Sequence, residues 1–257
     1  VDASGNLVLD DKTLTVAVSG DRPASGSKVA IKNGQAVSTG TKMTIGDYKV
    51  TINDSGKATA EEKKPLCIAI SPTEQQVWDH NSKAIKSMAA GTKATKAEPY
   101  AAGAVYSCDL GDGARTFYVL KTEGDNVKLI MNENIGDQVT WCDQNGDNPG
   151  NNRCDADGAK AYLASQTSGW VKLDEVEGTV VLPDSQDIED VTGGKVGPDW
   201  MRTNLYEKNY WTSTRDPHYI DMALYVTSDA KVHNCNVSKT LRGVRPVIVI
   251  QKKELGL

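Results

Sequence analysis

The chain has no apolar run approaching the ~20 residues that a transmembrane helix needs, and no signal peptide is recognisable. Acidic residues outnumber basic ones, and the resulting net charge of -5 argues against nucleic-acid binding, which depends on a basic stripe. Three enzyme motifs are also missing: the GxSxG of hydrolases, the HExxH of zinc proteases and a glycine-rich phosphate loop. We therefore expect neither a nucleic-acid-binding protein nor an enzyme of these classes.

Phenylalanine is nearly absent, with one residue, whereas glycine occurs 23 times. Thr, Val, Asn and Asp are frequent, which is typical of β-rich, turn-rich extracellular proteins. The 257 residues suffice for one large domain or for two ordinary ones. Because the chain begins Val-Asp-Ala without Met, we expect that an N-terminal segment has been removed.

The five cysteines make an odd number, so one of them is left over from any set of disulfides. Cys142 and Cys154 flank a loop of Asp, Asn and Gly that has no core of its own. A disulfide there would stabilise the loop by about 3 kcal/mol through loop closure. Cys67 and Cys108 form a second candidate pair, which leaves Cys235. Zinc is the alternative, but no CxxC motif or paired His accompanies these cysteines.

The same loop begins like a calcium site, with Asp143, Asn145 and Asp147 at alternate positions. An EF-hand needs Glu at the twelfth position of the loop, where this chain has Cys154. The EF-hand is therefore excluded, while a calcium site of another kind stays open. We expect no other cofactor.

Residues 1–62 are expected to form a small antiparallel β module. Asn33-Gly34 is a strong two-residue hairpin signal, and Tyr48–Ile52 alternates apolar with polar residues. The charged stretch of residues 60–66 ends in Pro and Leu and predicts a domain boundary.

A helix and a connecting loop are predicted for residues 63–103. Ser71-Pro72-Thr73-Glu74 fits a capping box with Pro at the first helical position. Trp78, Ile85 and Met88 would then share one face of a helix that ends near residue 90.

Residues 104–257 are assigned to a ligand-binding domain. Alternation and turn signals predict, in order, a hairpin across Glu123–Asn126, a short helix around Ala159–Leu163, another short helix after Pro183, a hairpin across Ser228–Ala230 and a final strand at Arg245–Ile250.

Several short motifs in this last part occur in a fixed order: Phe117–Leu120 (FYVL), Asn132–Gly136, Ala161–Leu163, Leu182-Pro183, Tyr210–Thr214 (YWTST) and Gly243–Ile248 (GVRPVI). This set resembles a family of bacterial surface domains with a C-type-lectin-like fold, over roughly residues 100–253. The resemblance implies an α+β chain, in which a small antiparallel β module precedes a C-type-lectin-like mixed α/β domain. It also implies that the segment between YWTST and GVRPVI is hypervariable and ligand-facing, as in related folds diversified by retroelements.

The first part of the chain is similar to the β-sheet end of type IV pilin-like subunits. The similarity lies in Gly5–Leu7, Gly26–Gly34 and Tyr48–Ile52. It implies that a hydrophobic pilin helix preceded this chain and that membrane contact is made only through that helix. Other pilin subunits are then expected partners, and the protein is expected to be an extracellular adhesin on the cell surface or a pilus.

The segment from Asn209 to Ile250 is where we expect the ligand, a protein or glycan on a host or bacterial surface. Its apolar positions form a sparse frame, and if Val226 and Val232 face the core, Tyr225 and His233 face the other way. The candidate contact residues are Arg215, Asp216, His218, Tyr219, Asp221, Tyr225, Thr227, Lys231, His233, Asn234, Asn236 and Ser238. Trp211 is expected to fill the core, and Arg245 to pair with a carboxylate.

Two alternative functions remain open. The chain could be a structural pilus subunit without an external ligand. It could also be an enzyme of the formylglycine-generating type, which acts through active-site cysteines, but Cys235 has no second cysteine close in sequence. His218 and His233 could approach each other, yet no metal site or catalytic residue is assigned to them.

Overall fold

The computed structural model divides the chain into two compact units, residues 1–64 and residues 65–257, and each is described by itself. In the first unit the structure describes the backbone of seven strands. In the second unit it describes residues 64–79, 84–142, 157–202, 209–219, 221–238 and 240–257. Among the described residues no helix is long and apolar enough to cross a membrane.

The first unit consists of short antiparallel strands: β1 (Leu7–Leu9), β2 (Lys12–Leu14), β3 (Ala30–Lys32), β4 (Gln35–Val37), β5 (Lys42–Ile45), β6 (Tyr48–Ile52) and β7 (Ala58–Glu62). β1 pairs with β2, β3 with β4, and β6 lies between β5 and β7. Lys32 is opposite Gln35, which confirms the hairpin predicted across Asn33-Gly34.

The strands of the second unit are β8 (Cys67–Ala69), β9 (Thr73–Asp79), β10 (Ala84–Ala90), β11 (Thr92–Lys93), β12 (Ala104–Asp109), β13 (Ala114–Glu123), β14 (Asn126–Met131), β15 (Ile135–Val139), β16 (Thr179–Val181), β17 (Tyr210–Arg215), β18 (Met222–Val226), β19 (Val232–Asn236), β20 (Arg242–Val244), β21 (Val247–Gln251) and β22 (Leu255–Gly256). Its helices are α1 (Asp157–Gln166), α2 (Val171–Glu175) and α3 (Ser185–Thr192), with 3₁₀ turns at Asp199–Met201 and Lys252–Glu254.

Two sheets dominate the second unit. The larger one has the strand order β16-β21-β14-β13-β12-β8-β22, and β11 adds to β12. The smaller one has the order β15-β20-β17-β18-β19. The closing segment of the chain joins them, because β20 belongs to the smaller sheet and β21 to the larger.

Strand β13 explains why the larger sheet forms where it does. Phe117 and Val119 belong to one buried cluster, whereas Tyr118 and Leu120 belong to another. Because successive side chains of a strand point to opposite faces, a continuous apolar run needs cover on both sides. In β17, Trp211 belongs to the first of these clusters and Tyr210 to the second. Both sheets therefore contribute to both cores.

Arg245 lies fully buried between β20 and β21 and binds backbone rather than a carboxylate. Its Nε donates to the Met131 carbonyl at 2.6 Å, and its Nη1 donates to that of Met201 at 2.9 Å. Its Nη2 donates to the carbonyls of Asn132 and Trp200 at 3.2 and 3.3 Å. The expectation of an acidic partner was wrong. The planar guanidinium instead spans four carbonyl oxygens at the end of β14 and in the 3₁₀ turn.

The predicted fold class, α+β with a C-type-lectin-like mixed α/β domain, is contradicted by the structure. Among the described residues strands predominate, and α1, α2 and α3 have only ten, five and eight residues. The physical reason is that both sheets contribute side chains to the same buried clusters. Because these side chains cover one another, few helices are needed to bury them. The second unit is β-rich.

The helix predicted after Ser71 is also wrong, because β9 and β10 form an antiparallel hairpin there. Trp78 is directly opposite Ile85, and Gln75 is opposite Met88. A spacing of seven residues places two apolar positions on one helix face, but antiparallel pairing also places the same two residues opposite each other. Cross-strand pairing prevailed over the local capping signal.

Several other strands and helices that the sequence predicts are present in the structure. β13 and β14 form the hairpin across Glu123–Asn126, and β18 and β19 form the one across Ser228–Ala230. Helix α1 contains Ala159–Leu163, and α3 follows Pro183, with the Asp184 side chain accepting the Gln186 N–H at its start. β21 supplies the strand predicted near Arg245–Ile250, although the short strand β22 follows it.

The cysteine predictions are confirmed in part. Cys67 and Cys108 are joined in a disulfide between neighbouring strands β8 and β12, as the second candidate pair suggested. Cys142 is disulfide-bonded. Its predicted partner Cys154 lies outside the described residues, as do Asp143, Asn145 and Asp147. Cys235 is free.

The contacts of Arg245 predict a large loss of stability in the Arg245→Met variant. Four buried carbonyls would lose their donor, and a free energy of unfolding lower by about 3 kcal/mol or more is expected. All five Trp residues lie beyond residue 64, so urea unfolding followed by Trp fluorescence reports on the second unit alone.

The control is Lys253→Met, which removes an exposed cation close in sequence. If both variants unfold at the same urea concentration as the parent, Arg245 does not hold the second unit together.

Candidate functional site

The smaller sheet places two candidate side chains, Tyr225 and His233, close to Trp211 and Arg242. Tyr225 in β18 is opposite His233 in β19 and opposite Trp211 in β17. Arg242 lies in β20, on the far side of β17. We call Tyr225, His233 and Arg242 the aromatic–cation face.

Ring contacts fix the geometry of this face. The Arg242 guanidinium carbon lies 4.5 Å from the centroid of the Tyr225 ring. The centroid of the His233 ring lies 6.2 Å from that of Tyr225 at a tilt of 37°, and the Trp211 and Tyr225 rings are nearly perpendicular with centroids 6.4 Å apart. A cation over a tyrosine face is stabilised by the ring quadrupole, which orders an otherwise flexible arginine.

The face rests on a fully buried support. Trp211 is buried, as expected from the sequence, and its Nε1 donates to the Val139 carbonyl at 2.8 Å. Trp141 makes the reciprocal bridge, because its Nε1 donates to the Thr212 carbonyl at 2.8 Å. These two indole bonds tie β15 and its following segment to β17. Such locked support is what a binding surface needs to keep its side chains in place.

Arg242 has spare hydrogen-bonding capacity. Its Nη1 donates to the neighbouring Leu241 carbonyl, its side chain also hydrogen-bonds Cys235, and its Nε is buried without an acceptor. In the described part of the chain no carboxylate forms an ion pair with it. His233 is exposed beside Tyr225. The face therefore offers the positive charge of Arg242 to an anionic group.

Cys235 lies next to this face, opposite Ala223 in the same hairpin. Burial raises the pKa of its thiol, while Arg242 and a hydrogen bond with Thr240 oppose that change in part. The net direction disfavours the thiolate, which is the nucleophilic form of cysteine.

Asp216 organises a separate loop. Its side chain is only 6% exposed and accepts the backbone N–H groups of His218 at 2.7 Å and Tyr219 at 3.1 Å. The hydrogen bond that Asn234 Nδ2 donates to Asp216, together with these N–H groups, holds the pKa of the carboxyl below its usual range. Asp216 and Asn234 therefore build the loop, whereas His218 and Tyr219 are exposed on it.

The remaining candidates lie at the two ends of the β18–β19 hairpin. At one end Asn236 Nδ2 donates to Asp221 at 3.1 Å, and the Asn236 side-chain oxygen accepts the Ser238 N–H. At the other end the Thr227 hydroxyl bonds to the Lys231 backbone. Lys231 also pairs with Asp229 at 3.4 Å. Arg215 closes β17 opposite Ala223.

The structure therefore corrects the expected arrangement of the site. Asn234 and Asn236 lie in β19, and Asp216 is buried although it was a candidate contact residue. The candidates divide among the aromatic–cation face, the Asp216 loop and the hairpin ends. Arg242 was missed, because only the strand order brings it over Tyr225.

Metal binding has no support in the described residues. No group of three or more His, Cys, Asp or Glu side chains there is placed to hold a metal ion.

Comparisons of the chain with protein-family models, with curated proteins and with solved structures give no match.

The environment of Cys235 predicts slow alkylation at neutral pH. Because burial favours the protonated thiol, the rate of reaction with iodoacetamide is expected to rise at a higher pH than for an ordinary cysteine, whose pKa is about 8.5. Mass spectrometry of the native protein across pH 6 to 10 measures this rate, with Cys235→Ser as the unlabelled control. Fast labelling at pH 7 would contradict this assignment and revive the enzymatic alternative.

Proposed function

We propose that this protein is an extracellular adhesin that binds a protein or glycan on a host or bacterial surface. Its aromatic–cation face contacts an anionic group of that ligand. Recognition is non-covalent and uses shape, charge and hydrogen bonds.

The observation that carries the proposal is the ordered row of Arg242, Tyr225 and His233 over buried Trp211. Arg and Tyr are enriched among residues that dominate binding energy, and here both are held by neighbours. A pre-ordered arginine loses little side-chain entropy when a ligand binds. No carboxylate among the described residues forms an ion pair with Arg242, so its positive charge is available to an anionic group of a ligand.

The disulfides support an extracellular location. Cys67 and Cys108 are bridged, and Cys142 is disulfide-bonded. Such bonds persist mainly in oxidising compartments, including the cell exterior. Attachment to a pilus, with other pilin subunits as partners, rests on the sequence similarity of the first unit alone.

The enzymatic alternative has less support. A nucleophilic cysteine is usually exposed in part and has a lowered pKa, whereas burial raises that of Cys235. The structural-subunit alternative predicts concentration-dependent assembly and no external ligand, and the binding experiment below distinguishes it.

The test is binding to a panel of acidic glycans and acidic proteins with neutral counterparts, measured by biolayer interferometry. At least one acidic member is expected to bind. Arg242→Ala should weaken that binding about tenfold or more, because a charge-assisted hydrogen bond contributes roughly 1.5–3 kcal/mol. Salt should weaken it as well, since exposed charges are screened.

Lys253→Ala is the matched control, because it removes one positive charge at an exposed position away from the face. Circular dichroism confirms that each variant is folded. Equal binding by Arg242→Ala and the parent protein, or no binding to any acidic member, would overturn the proposal.

A further inference from the structure

A groove of about 560 Å³ opens at one end of the larger sheet. Leu163 and Ala164 of α1 line one side, and Val247 and Val249 of β21 line its floor. The volume is in the range of natural ligand sites, and most of the lining is apolar. None of the residues of the aromatic–cation face contributes to it.

Strand β16 borders this groove and is the last strand of its sheet. It pairs with β21 only, and in the described part of the chain no strand pairs with its other side. Thr179 is exposed, and the Val181 side chain is 40% exposed although it is apolar. Backbone N–H and C=O groups on an open strand edge are a template for another extended chain.

The polar side chains of the groove are engaged, with one exception. Lys128 pairs with Asp187 at 2.8 Å, and Asp184 caps α3 while accepting a hydrogen bond from Thr214. Lys160 is exposed on the rim, and no described carboxylate pairs with it. Among the described residues the groove therefore combines an exposed lysine that no carboxylate pairs with, an apolar surface and an open strand edge.

We propose that this groove binds an extended peptide segment of a partner protein that pairs with β16. The open edge selects extended backbone, the valine and leucine side chains select apolar residues, and Lys160 selects an acidic residue between them. Alternation of apolar and acidic residues is the pattern that a strand presents to two faces. This site is independent of the aromatic–cation face, so either proposal can fail without the other.

The probe is a fluorescent heptapeptide, Ser-Val-Glu-Val-Glu-Val-Ser, titrated with the full chain and followed by fluorescence anisotropy. Two matched peptides accompany it. One has Lys in place of Glu, and the other has N-methylated backbone amides with unchanged side chains. Saturable binding of the acidic peptide with a Kd of about 1 mM or tighter is expected. The N-methylated peptide should not bind, because it cannot donate backbone hydrogen bonds.

Charge reversal on the protein completes the test. Lys160→Glu should weaken the acidic peptide about tenfold and strengthen the lysine peptide, while Lys253→Glu should change neither. Glu at the exposed first turn of α1 is compatible with the helix, so the variant should fold.

Three outcomes would overturn the proposal. No saturable binding of the acidic peptide would exclude the site. Equal binding of the N-methylated peptide would show that β16 does not pair with the ligand. Concentration-dependent dimers that the peptide fails to dissociate, seen by light scattering, would show that a second copy of this chain occupies the groove.

Discussion

The buried guanidinium of Arg245 is the interaction on which the second unit depends. It lies at the point where the chain leaves the smaller sheet and enters the larger one, and it donates to four backbone carbonyls. A buried charge is costly unless its donors are satisfied, so the surrounding backbone must keep one arrangement. Its position over the Tyr210 ring, at 5.2 Å, links the same charge to the start of β17.

This constraint bears directly on the aromatic–cation face. Arg242 precedes Arg245 by three residues, and Trp211 follows Tyr210, so the buried junction and the exposed face share two strands. Both indole bonds, from Trp211 and Trp141, add to the same framework. Fixing the backbone below the face reduces the conformational entropy that a ligand would otherwise have to remove. The fold thus separates residues that hold the sheets from residues that remain available for contact.

The sequence predicted local features well and distant ones poorly. Asn33-Gly34 specifies a hairpin through its own backbone preferences, and that hairpin is present. Trp78 and Ile85 were assigned to a helix because their spacing suits a helix and a hairpin equally, and only cross-strand pairing distinguishes them. Arg242 reaches Tyr225 across an intervening strand. No spacing rule reveals such a contact, because the strand order creates it.

The central claim is that Arg242, held over Tyr225, receives an anionic group of the ligand. Nuclear magnetic resonance tests it most directly, by following the Arg242 Nε–H signal and the Tyr225 ring signals while inorganic sulfate replaces chloride at constant ionic strength. The account predicts saturable shifts of these signals and of the Trp211 indole N–H beneath them. Signals that stay unchanged with sulfate, or shift only in other parts of the chain, would contradict it.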